Sequence, residues 1–269
     1  MLAYDFMQNA FIAGILIATI CGIVSVFVVI RRTAFATHAL GHISLTGAAG
    51  AGLIGVSAIT GQLVANSIAA IIMGLLGDKI KKNDLNIGVV LTFFLGLGAY
   101  FLFLFQNNYA GSVMNILFGN ILSVSMAQIQ ILVLLSAVIL VVFLICARPL
   151  LFASIDATLA EAKRVPIRLL SVVFFLILAI TISMACQVVG TLLIFVLLII
   201  PGAIANQWCD GFYKSIIVSI ITANFAIIGA LCLAYYYDLP VSFCITMLMS
   251  LFYSIGYFKS YLLKPLAQR

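Results

Sequence analysis

His38 and His42 are the only histidines in this 269-residue chain, and they stand four residues apart inside an apolar stretch. A spacing of four places both imidazoles on one face of a helix. Neutral imidazole ligates transition metals, passes protons or hydrogen-bonds across helices, and the spacing alone leaves these three roles open. Two ligands do not close a tetrahedral site, yet an incomplete site suits an ion that must also leave. Bis-imidazole haem ligation is excluded on this helix alone, because axial ligands approach from opposite faces. No Asp, Glu, Lys or Arg lies in any apolar core of the chain, which argues against a salt-bridge role.

The elements that hold the pair are read from composition. The chain is 65% hydrophobic and 7% charged, with a mean hydropathy of +1.32, which is not the profile of a soluble globule. Apolar runs of about 20 residues, each able to cross a core of about 30 Å, predict a single all-α transmembrane domain over residues 1–269. About nine crossings are expected, with eight as the alternative, at roughly 6–30, 34–58, 62–77, 86–105, 126–147, 167–185, 187–207, 215–237 and 240–258. Ser112 to Ser123 reads as an outer re-entrant or interfacial segment. All 13 Lys and Arg residues fall in the gaps that share one side, so the N-terminus is expected outside and the C-terminus in the cytoplasm. With Arg32 at the cytoplasmic interface, His38 lies about 9 Å deeper and His42 about 15 Å deeper, near the midplane.

Other classes fall away. The net charge of +6 is scattered at segment ends, whereas nucleic-acid binding needs a basic face with aromatics beside it. Six cysteines stand singly without a CxxC pair and read as small apolar packing residues. Met1 to Asn9 carries Asp5 and no basic residue, so Phe6 to Ile30 reads as a retained span rather than a cleaved leader. Gly47, Ala51 and Gly55 recur every four residues, the spacing that lets helices approach closely in lipid. With Gly190, Pro201 and Gly202 they are the candidates for helix packing or gating.

One polar stretch, Ser154 to Pro166, reads as a short surface helix with Asp156 as its N-cap and Pro166 as its stop. Either it is a solvated loop or it docks a cytoplasmic partner. The chain has no GxxxxGK[ST] loop, so any ATP hydrolysis that drives it belongs to another subunit.

Several segments together resemble the permease subunits of the metal-ion (zinc/manganese/iron) ABC importers, the ABC-3 family. They are Phe11 to Phe35, Thr37 to His42, Leu117 to Ser125, Ile155 to Ala160 and Val189 to Ala205, in matching order across the chain. The resemblance implies a permease homodimer, a cytoplasmic ABC ATPase dimer and an extracytoplasmic metal-binding protein. It makes the helix after Asp156, with Ala160, Glu161, Lys163 and Arg164, similar to the family's ATPase-coupling helix. It makes His38 and His42 similar to the acid and histidine of the family's Gly-Asp-Ala-Leu-Ser-His motif, which line the translocation path. This chain departs from the pattern in His38 for the acid, Gly41 for the serine and Arg164 for a frequent glycine.

The expectation is therefore a non-enzymatic, multi-pass subunit of a bacterial inner membrane. It would import a divalent transition metal with no permanently bound cofactor. Zinc is favoured over manganese or iron because paired imidazoles are softer than a carboxylate–imidazole pair. The alternative is a proton-coupled secondary transporter working without an ATPase; an intramembrane hydrolase lacks any acid placed to serve it.

Overall fold

A computed structural model describes residues 4–76, 83–104, 117 and 119–267, and these residues form helices and connecting turns without any strand. The helices are α1 Asp5–Ile30, α2 Ala34–Leu53, α3 Ala58–Leu76, α4 Asn83–Leu104, α5 Met126–Ile155, α6 Ala157–Ala162, α7 Ile167–Val189, α8 Thr191–Trp208, α9 Phe212–Tyr237 and α10 Val241–Ala267. Seven of them are long and apolar enough to cross a membrane: α1, α3, α4, α5, α7, α9 and α10. The other two long helices have different chemistry. The 20 residues of α2 are rich in Gly, Ala, Ser and Thr, and twelve of them are buried among neighbouring helices. Most of its surface meets neighbouring helices, so it needs small residues for close contact more than bulk hydropathy. Within α8 the apolar stretch is short, Leu193–Trp208.

The helices fall into two groups. In one, α2 packs against α3 and α4, and α3 packs along α7; in the other, α1 packs against α8 and α9, and α10 closes onto both of those. Helix α5 lies across the groups, touching α1 and α7. The groups meet chiefly where α8 crosses α2 and α7.

Boundaries differ from the sequence expectation where special residues act. Helix α2 stops at Leu53 instead of running to residue 58. Gly55, at φ +71°, turns the chain, and Val56 N–H returns to the Ala51 carbonyl at 3.0 Å, a left-handed helix stop that favours glycine. Gly55 is exposed and has open space around it, so the small-residue packing run ends at Ala51. Helix α5 continues through Pro149 to Ile155, past the expected end at 147; Pro149 costs one backbone bond without ending the helix. Helix α7 extends to Val189, and the break expected near residue 186 falls on Gly190, at φ +91° and ψ 157°, a region open in practice only to glycine. Most of the predicted outer segment Ser112–Ser123 lies outside the described residues; its end forms a single 3-10 turn, Ile121–Ser123. Lys79, Lys81 and Lys82 likewise lie outside the described residues.

Candidate functional site

His38 is exposed and His42 half-buried on one face of α2. Their Nε2 atoms are 3.2 Å apart, with ring centroids at 4.5 Å and planes at 85°. Two chemistries fit that distance. Without an ion, one Nε2–H donates to the other Nε2, which requires opposite tautomers. With an ion, the separation is close to the about 3.3 Å between two nitrogens bound at about 2.0–2.1 Å to one tetrahedral zinc. Among the described residues no third His, Cys, Asp or Glu joins the pair.

The setting of the pair comes from α2 and α8. Phe195 of α8 stands edge-on to the His38 ring, 5.1 Å between centroids. Phe35, at 40% exposure, lies one turn before His38, and Phe195 is 36% exposed. The imidazoles thus lie on an exposed face of the chain, with the Phe195 ring against His38. From the first residue of α2, His38 lies about 6 Å along the axis and His42 about 12 Å. Gly41, between the two histidines, leaves no opening on its side of the helix. It is buried, and a Cβ there would rest 3.6 Å from the Thr191 carbonyl at the start of α8.

The packing candidates are resolved individually. Gly47 meets Gly61 of α3 backbone to backbone, and Ala51 sits against the same glycine. Gly190 is the whole link between α7 and α8. Pro201 lies inside α8, and the next amide, Gly202 N–H, donates to Ser25 Oγ of α1 at 2.8 Å. A Cβ on Gly202 would stand 2.5 Å from the Ser25 carbonyl oxygen, so glycine is what lets α1 and α8 touch.

Sequence reasoning missed a buried polar knot behind the histidines. Asn66 of α3 is fully buried and donates through Nδ2 to Ser44 Oγ of α2 at 2.6 Å and to Ser183 Oγ of α7 at 2.9 Å. Gln62, one turn before it, is 1% exposed, and neither its Oε1 nor its Nε2 has a partner. Two amides four residues apart in an apolar span were the available signal, because uncharged polar side chains inside a membrane bundle carry a cost that something must repay.

The second candidate region is α6. Asp156 Oδ1 accepts from Leu159 N–H at 3.0 Å and from Thr158 Oγ1 at 2.7 Å. Those bonds, the Leu159 amide first, hold its carboxyl below the usual carboxylate range. Ala160 is fully buried and anchors the helix, while Ile155 is 74% and Leu159 49% exposed. Glu161 is exposed beside them. Lys163 Nζ lies over the Phe152 ring at 5.5 Å. Arg164 has φ +58°. Its N–H reaches the Glu161 carbonyl at 2.9 Å and Val165 N–H reaches the Ala160 carbonyl at 3.0 Å, the paired bonds of a helix stop where glycine is preferred.

Fold and site together define a multi-pass membrane protein with a small-residue helix presenting a polar pair and a short capped helix at one end. Residues 3–260 match the ABC 3 transport family, and the chain belongs to it. The chain is accordingly a membrane permease subunit of an ABC-type transporter, located in the inner membrane, rather than a catalytic polypeptide. It is 28% identical to the manganese transport system membrane protein MntC of Halalkalibacterium halodurans, covering 97% of this chain and 89% of that one. It is 27% identical to the chelated iron transport system membrane protein YfeD of Yersinia pestis, over 99% and 89%. Among solved structures it superposes on a chain of PsaBC from Streptococcus pneumoniae in complex with Fab, with a TM-score of 0.83, 29% identity, and coverage of 94% of this chain and 91% of that one.

Proposed function

We propose that this chain is the membrane-spanning half of an ATP-driven importer for a divalent transition metal, with His38 and His42 as a transient contact for the ion on its path. The observation that carries the reading is the 3.2 Å approach of two Nε2 atoms on an exposed face. An imidazole pair facing hydrocarbon is costly, and such groups in membranes face a bundle interior or a water-filled passage. A second copy of the chain laid against the α2 and α8 face would supply that interior, and the homodimer is part of the proposal. All nine long helices cross in this reading, with α2 and α8 shielded inside the dimer, the N-terminus outside and the C-terminus cytoplasmic.

Helix α6 is the coupling element. The exposed side chains of Ile155, at the end of α5, and of Leu159 on α6, followed by Glu161 and the basic end at Lys163 and Arg164, offer a compact surface to a cytoplasmic ATPase dimer. An extracytoplasmic metal-binding protein delivers the cargo. Relatives named for manganese and chelated iron support a transition metal. The paired imidazoles of this chain keep zinc as the favoured cargo, since softer nitrogen donors suit zinc over manganese. Family membership favours the ATP-driven reading over a secondary transporter.

The test is uptake by the complete complex in vesicles, with and without ATP, from zinc, manganese and iron(II) supplied singly and in competition. ATP-dependent uptake with zinc winning the competition upholds the proposal in full. Manganese winning overturns the cargo preference, and uptake that persists without ATP overturns the class.

A further inference from the structure

The knot behind the histidines has a fixed polarity. Ser44 Oγ donates its proton to the Leu40 carbonyl at 3.1 Å, and Ser183 Oγ donates to the Ala179 carbonyl at 2.9 Å. Both hydroxyls therefore have only lone pairs left to offer Asn66, which must give both of its amide hydrogens. Asn66 Oδ1 is left without a partner. Leu40, whose carbonyl receives the Ser44 proton, lies midway between His38 and His42. The chain of bonds from Asn66 through Ser44 to Leu40 thus grips the turn of α2 that bears the imidazoles, from the side opposite to them. On the adjoining flank Thr46 Oγ1 donates to the Phe94 carbonyl of α4 at 2.9 Å. Hydrogen bonds in a low-dielectric interior are directional and strong, so two of them on different flanks resist rotation of a helix about its axis in a way that small-residue packing at Gly47 does not.

We propose that Asn66 is a positioning residue for the histidine pair. By tying α2 to α3 through Ser44, it fixes the direction in which His38 and His42 face relative to Phe195, without touching the ion. The inference rests on the proposed role of the histidines for its functional consequence, but not for its geometry. It separates Asn66 from an ordinary packing residue because the effect must travel through Ser44, not through Ser183.

The experiment uses the complete transporter in vesicles with histidine-labelled permease, whose two imidazoles are the only labelled groups. Asn66→Leu, Ser44→Ala and Ser183→Ala are compared by the imidazole NMR signals and by the metal concentration at half-maximal zinc uptake. Asn66→Leu and Ser44→Ala are expected to shift both signals. They should raise the half-maximal concentration about 5- to 10-fold, the loss of roughly one hydrogen bond, while the maximal rate stays within about twofold. Ser183→Ala, which keeps the Asn66–Ser44 link, leaves both readouts near the wild type. Unchanged signals in folded Asn66→Leu overturn the inference, as does equal loss from Asn66→Leu and Ser183→Ala with none from Ser44→Ala. If Asn66→Leu does not fold, Ser44→Ala alone decides by the same readouts. Shifted signals with unaltered half-maximal concentration uphold the positioning and overturn the histidines' role in transport.

Discussion

The two helix groups are fastened by different devices. In the α1, α8, α9 and α10 group, the fully buried polar ties run between a side chain and the backbone, and the side-chain tie from Asn224 Nδ2 to Thr19 Oγ1, at 3.2 Å, is only partly buried. Ser219 Oγ donates to the Gly22 carbonyl at 2.7 Å, and Gly202 N–H donates to Ser25 Oγ. Each tie stands where a glycine brings backbones together. In the α2, α3, α4 and α7 group the main tie is between side chains, through Asn66, and it leaves amide atoms of Gln62 and Asn66 unpaired. A tie from one side chain to a backbone joins two helices at one point, whereas Asn66 joins side chains of three helices. A side-chain knot in a membrane interior is costly, yet it dictates which way a helix faces. Unpaired amide oxygens occur in both groups, at Gln207 and Asn224 in one and at Gln62 and Asn66 in the other, but only the group that presents the imidazoles sets such a knot at full burial.

The sharpest break in this contrast is Gly202→Val. Its side chain would press into the Ser25 backbone, which has nowhere to move, and a loss of about 3 kcal/mol or more is expected, read as collapse of the monodisperse yield and of thermal stability. Survival with wild-type stability would show that α1 and α8 are not in the tight contact described. Ser219→Ala should cost about 1 kcal/mol, lowering Tm without changing the metal concentration at half-maximal uptake; a change in that concentration would erase the distinction between the two groups. Arg164→Gly should stabilise the end of α6 by about 0.5–1 kcal/mol, because glycine pays no penalty at positive φ. Slower amide exchange at Val165 checks it. The smallest effect is a pH dependence. The Asp156 carboxyl is held below its unfolded pKa, so its cap is present at neutral pH and is lost only as pH falls through that lowered value. Protection of the Leu159 amide should therefore persist below the ordinary carboxylate titration range and then fade; fading at or above that range would contradict the bond geometry.

Much of this arrangement is readable in the chain before any coordinates. The histidine spacing declares a shared face because helical periodicity is local, and Asp156 declares a cap because its bond closes within three residues. Apolar runs declare the helices for the same reason. What escapes is tertiary. Asn66 reads as one polar residue in a moderately apolar segment until Ser44 and Ser183, from helices 22 and 117 residues away, are brought to it. Gly41 reads only as a replacement for a serine until the start of α8 is found packed against it. Gly55 matches the packing spacing of Gly47 and Ala51, and only the end of α2 at Leu53 turns it into a helix stop. Pro149 reads as a terminator by propensity, but α5 continues through it.

Metal uptake by His38→Ala/His42→Ala in the complete complex, with membrane insertion and Tm measured on the same preparation, tests the histidine pair directly. The prediction is a fall in uptake of about 100-fold, in line with loss of ligands whose separation fits one ion, with insertion intact and Tm within a few degrees of the wild type. Uptake at the wild-type rate by that variant, correctly inserted, would contradict a role for the two imidazoles on the ion's path.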